Sequence, residues 1–330
     1  MKEKLLQKFQ LGGLELPNGV FYSPLAGCSD FPFRAMSARY KPALIFCEMV
    51  KMEALIRGDQ NTFHILDYDA AMHPIGGQLV GSNVKIAGKA AKLLEAMGFD
   101  VIDFNCGCPV DKVTKDGSGS AMLKTPELIG EILQEIKAAV SVPVTVKIRA
   151  GWDESSINAP EIVQVAERAG ADAVFIHGRT RKQGYNGPAN WSYIKDCVDA
   201  RKTIKVIGNG DVVDGPSAEK MLKETGCDGV LVSRATMGQP WIVEEILSYC
   251  RDQQVPQKTH EDARKALLEH YLKVLDYHQG RRAVVDARRI GCWYLKNSAG
   301  TRNFRGKISK VESPEMALEL IKSFPIGDEG

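Results

Sequence analysis

Phe99-Asp100-Val101-Ile102-Asp103-Phe104 runs directly into Asn105-Cys106-Gly107-Cys108-Pro109. The first six residues are mostly apolar and partly β-branched, the composition of a buried strand. Gly107 and Pro109 then end the ladder, because one tolerates unusual dihedrals and the other has no N–H to give. An amide, Asn105, and a thiol, Cys108, therefore stand together at the carboxyl end of a strand. In a closed barrel of parallel strands that end carries the chemistry.

Working outward, seven more short apolar runs lie at residues 20–25, 44–48, 75–79, 144–148, 173–177, 205–209 and 229–232. Helical patterns separate them at 30–38, 51–57, 83–97, 125–140, 159–169, 191–199 and 215–225, with 240–250 closing the series. Eight β-then-α units predict an α/β fold, a (β/α)8 TIM barrel, over residues 1–250. No Gly-x-Gly-x-x-Gly follows a strand, which argues against an open dinucleotide-binding sheet. Residues 252–258 read as a linker, and Thr259 with Asp262 forms a capping-box pattern. Helices are expected at 260–279, 282–296 and 314–323, giving a helical domain over 251–330.

With 330 residues and 44% hydrophobic content the chain can bury a large core without staples. The net charge of +2 is unevenly spread: residues 281–310 hold nine basic side chains and one acidic. Such a block suits a polyanion-binding surface. Eight cysteines without a spacing framework point to free thiols in a reducing compartment. The amino terminus has no signal-like apolar core, and no run reaches the ~20 apolar residues of a membrane span. A cytoplasmic monomer is expected, and no metal: Cys106 and Cys108 lack nearby partners for a zinc site.

The strand ends hold the candidate residues. Pro24-Leu25-Ala26-Gly27 ends the first run, where small residues let a flat ligand approach, although a plain turn with Asp30 as helix cap accounts for it equally. Gln78 ends the third; its amide both donates and accepts. A lone cysteine is more often a small core residue than a catalyst, so Cys108 gains meaning only from its setting. The polar stretch 112–120 reads as a loop, a lid hinged at Gly117 and Gly119. Lys147 and Arg149 share one face of the fifth run, where burial is costly without an anion. His177 is followed by Arg179, Arg181 and Tyr185, a set able to hold a ring and a phosphate backbone. Asn209-Gly210-Asp211 and Ser233-Arg234 end the seventh and eighth runs, where barrels of this kind often bind phosphate.

The string from Asn105 through Lys112-Val113 to Gly117-Ser118-Gly119-Ser120-Ala121-Met122-Leu123 resembles the signature of the tRNA-dihydrouridine synthases, with a second match from His177 to Trp191. The likeness covers roughly residues 16 to 305 and looks most like the bacterial, B-type branch. The family reduces uridine in tRNA with FMN, re-reduced by NADPH or NADH. The resemblance implies FMN contacts from Pro24, Leu25, Ala26, Gln78, Lys147, His177, Asn209, Gly210, Asp211, Ser233 and Arg234. The family usually has Gly where Ser233 stands, which makes that phosphate contact the least secure.

The resemblance further implies that Asn105 holds the uracil edge and that the helical tail grips tRNA. Arg149, Arg179, Arg181, Tyr185, Arg288, Lys296, Arg302 and Arg305 are its substrate-side candidates. Hydride addition at C6 of uracil leaves electron density at C5, and Cys108 is placed to supply the proton as a neutral thiol. No cation is therefore expected against its sulfur. Two alternatives are a flavin-barrel oxidoreductase acting on a free pyrimidine or another small metabolite, and an RNA-binding barrel without catalysis.

Overall fold

A computed structural model of the protein describes residues 1–255, 258–294 and 300–324. All eight apolar runs form parallel strands: Val20–Tyr22, Ile45–Phe46, Ile75–Val80, Val101–Cys106, Val144–Arg149, Ala173–His177, Lys205–Asn209 and Gly229–Val232. Each pairs with the next from the second to the eighth, and the eighth pairs back onto the first. The remaining seam carries two backbone hydrogen bonds, Tyr22 N–H to the Leu44 carbonyl at 3.0 Å and Ala43 N–H to Val20 at 2.7 Å. No helix among the described residues is long and apolar enough to cross a membrane.

An antiparallel hairpin, Phe9–Leu11 with Leu14–Leu16, precedes the barrel and was not legible as strand in the sequence. Its Phe9, Leu11 and Leu16 join Phe21, Phe46, Phe175, Ile207 and Leu231 in one buried cluster. Phe21 meets Phe9 and Phe175 edge-on at 5.1 and 5.4 Å, and Phe46 meets Phe175 at 5.7 Å. These rings fill the barrel interior at the end away from the strands' carboxyl termini. A second, larger apolar layer lies between the strands and the surrounding helices.

Two expectations need correction. The stretch 112–120 is not irregular loop throughout. A helical turn, Asp111–Thr114, and a 3-10 turn, Gly119–Lys124, frame it, and Gly119, Ser120, Met122 and Leu123 are buried. A Cβ on Gly119 would stand 2.9 Å from the Cys108 carbonyl, so glycine serves close approach there rather than a hinge. The tail also differs: the helix expected over 282–296 runs Gly280–Gly291, and Thr301–Ile308 adds a helix the apolar periodicity did not reveal.

The tail helices His260–Tyr277, Gly280–Gly291, Thr301–Ile308 and Pro314–Ser323 bury one apolar core that also takes Phe33, Met36 and Trp241 from the barrel side. Thr259 and Asp262 form the expected capping box. Phe31 and Tyr277 stack at 4.6 Å across the seam, and Arg39 pairs with Glu269. The bundle thus sits against helix Phe31–Ala38, directly behind the first strand's loop.

The first strand is pinned to the last barrel helix by one side chain. Tyr22 is 2% exposed; its hydroxyl donates to the Pro240 carbonyl at 2.8 Å and accepts from Val243 N–H at 3.0 Å. Tyr22→Phe leaves both backbone groups buried without a partner. Urea denaturation should show the unfolding free energy lowered by about 1–3 kcal/mol; an unchanged midpoint would mean the hydroxyl contributes nothing to closure.

Candidate active site

The carboxyl ends of the strands open into a cleft of about 650 Å³. It is lined by Pro24, Leu25, Ala26, Gln78, Asn105, Cys108, Lys147, Arg149, His177, Arg179, Tyr185, Asn209, Gly210, Asp211, Ser233 and Arg234. Sixteen sequence candidates therefore share one cavity. Arg181 stands outside it, paired with Asp111 and lying 4.6 Å from the Trp152 ring. Arg288, Arg302 and Arg305 are exposed on the bundle, Arg288 donating to the Val311 carbonyl at 2.9 Å. Lys296 lies outside the described residues.

Asp103 organises the floor. It faces the same side of its strand as Asn105, is fully buried, and accepts from Thr145 Oγ1 at 2.6 Å and Gln78 Nε2 at 2.7 Å. Gln78 Oε1 accepts from Asn105 Nδ2 at 2.8 Å, and Asn105 Oδ1 accepts from the N–H groups of Cys108 at 2.9 Å and Gly107 at 3.2 Å. Both ends fix this direction: an ionised carboxylate can only accept, and a backbone N–H can only donate. Both amides are therefore locked in one orientation. Burial raises the Asp103 carboxyl to about 6 against the donors that favour its ionised form. It binds its proton more tightly folded than unfolded, so its cost to stability grows as pH climbs through about 6.

Cys108 is half-buried at the cleft mouth, and its carbonyl accepts from Ser120 N–H at 3.0 Å. Burial raises its thiol above the usual cysteine range, outweighing a backbone hydrogen bond at Val110 and the charges of Arg149 and Lys147. The expected isolation from cations is thus not what keeps the thiol protonated; desolvation is. Lys147 donates to Asn209 Oδ1 at 3.2 Å and is pushed down to about 8, first by burial and then by Arg149. Asn209 in turn donates to the Leu231 carbonyl at 2.7 Å and Ser233 Oγ at 2.8 Å.

Arg149 and Arg179 are each only 3% exposed, so neither forms an outward RNA surface. Arg149 donates to the carbonyls of Gly107, Thr180 and Gly184 at 2.8, 2.9 and 2.9 Å, tying three loops together. Arg179 grips the Gly187 carbonyl and both Asp211 oxygens, the latter at 2.9 and 2.7 Å. Arg234 reaches Asp211 at 3.3 Å and stands 4.9 Å from the ring of Tyr185, which is 56% exposed at the rim. His177 Nε2 accepts from Arg179 at 3.2 Å; burial, then the four surrounding cations, hold the ring well below its ordinary pKa and therefore neutral.

Gly210 needs its missing side chain: φ is +116° and a Cβ would lie 2.7 Å from Ala189 Cβ. Ser233 has φ −111°, outside the left-handed region that favours glycine. Sequence reading missed Asp103 and Thr145, although the two-residue alternation from Asn105 pointed to the former. It also missed Met49, Val110, Val213, Met237 and Gln239 on the cleft wall. Val110 and Val213 are each 55% exposed, which only coordinates reveal.

The dihydrouridine synthase (Dus) family model matches residues 21–325. A probable tRNA-dihydrouridine synthase of Rickettsia bellii is 34% identical over 319 residues, 96% of this chain and 97% of that protein. The tRNA-dihydrouridine synthase B of Pseudomonas aeruginosa is 33% identical over 316 residues, 96% and 95% of the two chains. Among solved structures, morphinone reductase superposes with a TM-score of 0.56 at 14% identity, covering 78% of this chain and 92% of that one. Histamine dehydrogenase from Rhizobium sp. 4-9 gives 0.58 at 14% identity, covering 82% and 51%. At 14% identity these two likenesses show the fold alone, whereas the family model and the relatives span nearly the whole chain: it belongs to the dihydrouridine synthase family.

Proposed function

We propose that this protein reduces uridine to 5,6-dihydrouridine in tRNA, with FMN as resident cofactor and NADPH or NADH as reductant. The observation that carries the reading is a half-buried cysteine, Cys108, whose backbone is held by Asn105 and Ser120 at the mouth of a cleft that also holds Lys147. The family membership and the names of the relatives support the same substrate.

The cleft suits FMN in its donor set. Gln78, anchored by Asp103 and Asn105, keeps one amide N–H to give, and Lys147 offers a positive charge in the same cleft. The Gly210 backbone and the Arg234 guanidinium suit a phosphate, with Asp211 setting Arg179 and Arg234 beside it, while the Asn209 side chain, engaged with Lys147, Leu231 and Ser233, holds that wall in place. Pro24, Leu25 and Ala26 supply an apolar wall. Bound there, the reduced flavin would supply the hydride that adds at C6 of the uracil. The protein's own task is the proton: Cys108 Sγ–H delivers it to C5, and burial keeps that thiol protonated across neutral pH. Neutral His177 adds no further charge to a floor already crowded with cations.

A base within folded RNA must leave its stack to enter the cleft. Tyr185 at the rim offers a face against which a base or ribose can rest. Arg302 and Arg305 on the bundle suit the phosphate backbone, and Arg181 the cleft's opposite side. The same enzyme should leave free uridine essentially untouched, because only tRNA engages the bundle; equal rates on both would instead favour a metabolite reductase.

Cys108→Ala should retain bound yellow flavin and tRNA affinity while turnover falls by about 10²–10⁴-fold, measured as dihydrouridine formed per tRNA by mass spectrometry. Turnover near wild type would remove the proton-donor role. Lys147, held to about 8, gives a pH signature. Above that pH the ammonium is lost in the free protein, so a cofactor that prefers it charged must take up a proton to bind. FMN dissociation constants, titrated by fluorescence, should rise with pH above about 8 with a slope approaching one. In Lys147→Met that slope should disappear; its persistence would assign the proton to another group.

A further inference from the structure

Asp30, His278 and Asp286 bring their ligand atoms within 4.8 Å of one another at the joint between barrel and bundle. A cation already sits among them. The Arg289 guanidinium reaches Asp30 Oδ2 at 2.5 Å and Asp286 Oδ1 at 3.0 Å, while Arg282 pairs with Asp286 at 2.9 Å. Its other terminal nitrogen donates to the carbonyl of Gly27. Gly27 belongs to the loop whose neighbours Leu25, Ala26 and Cys28 line the cleft. On its far side the Gly27 N–H donates to the Glu48 carboxylate, so this one residue is held between a barrel loop and a bundle helix.

A second contact runs in parallel. Gly238 has φ +77°, and a Cβ there would stand 2.2 Å from the Trp293 carbonyl, just past the end of the same bundle helix. Its neighbours Met237 and Gln239 also line the cleft, and the Arg289 guanidinium lies 4.9 Å from the Trp293 ring. Helix Gly280–Gly291 therefore touches two cleft-lining loops through its last turn, and Arg289 makes the polar link.

We propose that Arg289 is a positioning residue for tRNA reduction: it transmits the seating of RNA on the helical bundle to the 24–28 loop, setting that wall of the cleft around the reacting base. The inference rests on the tRNA reading above. A side chain 19% exposed, with one nitrogen on two carboxylates and another on a carbonyl, is a rigid two-ended strut. Only the planar fork of arginine spans both ends; lysine, with a single ammonium, can satisfy one. A rigid element joining two sites makes their coupling reciprocal, so RNA on the bundle and ligand in the cleft must each sense the other.

The test uses full-length Arg289→Lys and Arg289→Gln, with Arg305→Gln as contrast, all with flavin bound and compared by thermal melting. Expected for Arg289→Lys is a kcat on tRNA reduced about 10- to 100-fold with KM held within about twofold, since a displaced wall misaligns without loosening the RNA. The change that saturating tRNA induces in the visible flavin spectrum of wild type should vanish in this variant. Arg289→Gln, too short for the Gly27 carbonyl and without the charge that faces Asp30 and Asp286, should lose at least as much kcat as Arg289→Lys. Arg305→Gln should raise KM and leave the flavin's spectral response at saturating tRNA.

A wild-type kcat and spectral response in Arg289→Lys would overturn the proposal. A raised KM with unchanged kcat would overturn it too, by making Arg289 an RNA contact. Loss of flavin without RNA present would reduce it to a pocket-building residue. Failure of wild type itself to form dihydrouridine would instead sink the tRNA reading, and this inference with it.

Discussion

One buried carboxylate sets the polarity of the active site. Asp103 has no access to water and can only accept while ionised, so Thr145 and Gln78 must both donate to it. That choice propagates without alternatives through Gln78 and Asn105 to the backbone N–H of Cys108. The result is a cysteine whose backbone is fixed by a hydrogen-bond series that begins on its own strand at Asp103 and passes through the neighbouring strand at Gln78. Such networks are valuable only when every member is satisfied, and this one ends on main-chain groups that cannot rotate.

Electrostatics complement that geometry. Lys147, Arg149, Arg179 and Arg234 surround the cleft, and Asp211 is the acidic group that meets two of them. The excess positive charge is held in place chiefly by carbonyl oxygens, as Arg149 illustrates with three. Burial sets both protonation states that matter here, lifting the Cys108 thiol and lowering Lys147 despite their mutual attraction. A cleft built this way awaits an anionic occupant, which phosphate and a reduced flavin ring would both provide.

The barrel was legible because the strands are largely buried on both faces and so read as mostly apolar runs, as Gly229–Val232 does. Most cleft residues were legible for a related reason: they sit at the ends of those runs. What escaped lacked a local signal. The hairpin at Phe9–Leu16 is too short for alternation to stand out, and its burial depends on a barrel floor hundreds of residues away. The 112–120 stretch looked polar and glycine-rich, yet Gly119 serves close packing beneath Cys108. Arg179 read as an RNA-binding charge, and only the fold shows it turned inward onto the Gly187 carbonyl and Asp211. Charge can be counted in a sequence; direction cannot.

The hairpin has one more effect. By packing Phe9, Leu11 and Leu16 beneath Phe21 and Phe175, it corks the lower end of the barrel. Traffic to the strands' carboxyl ends then has a single doorway. If a nicotinamide donor and an extruded nucleotide both need that doorway, they must take turns, and catalysis divides into two visits separated by a departure. The order of events in the chemistry would in that way be written by three apolar side chains that never meet either visitor.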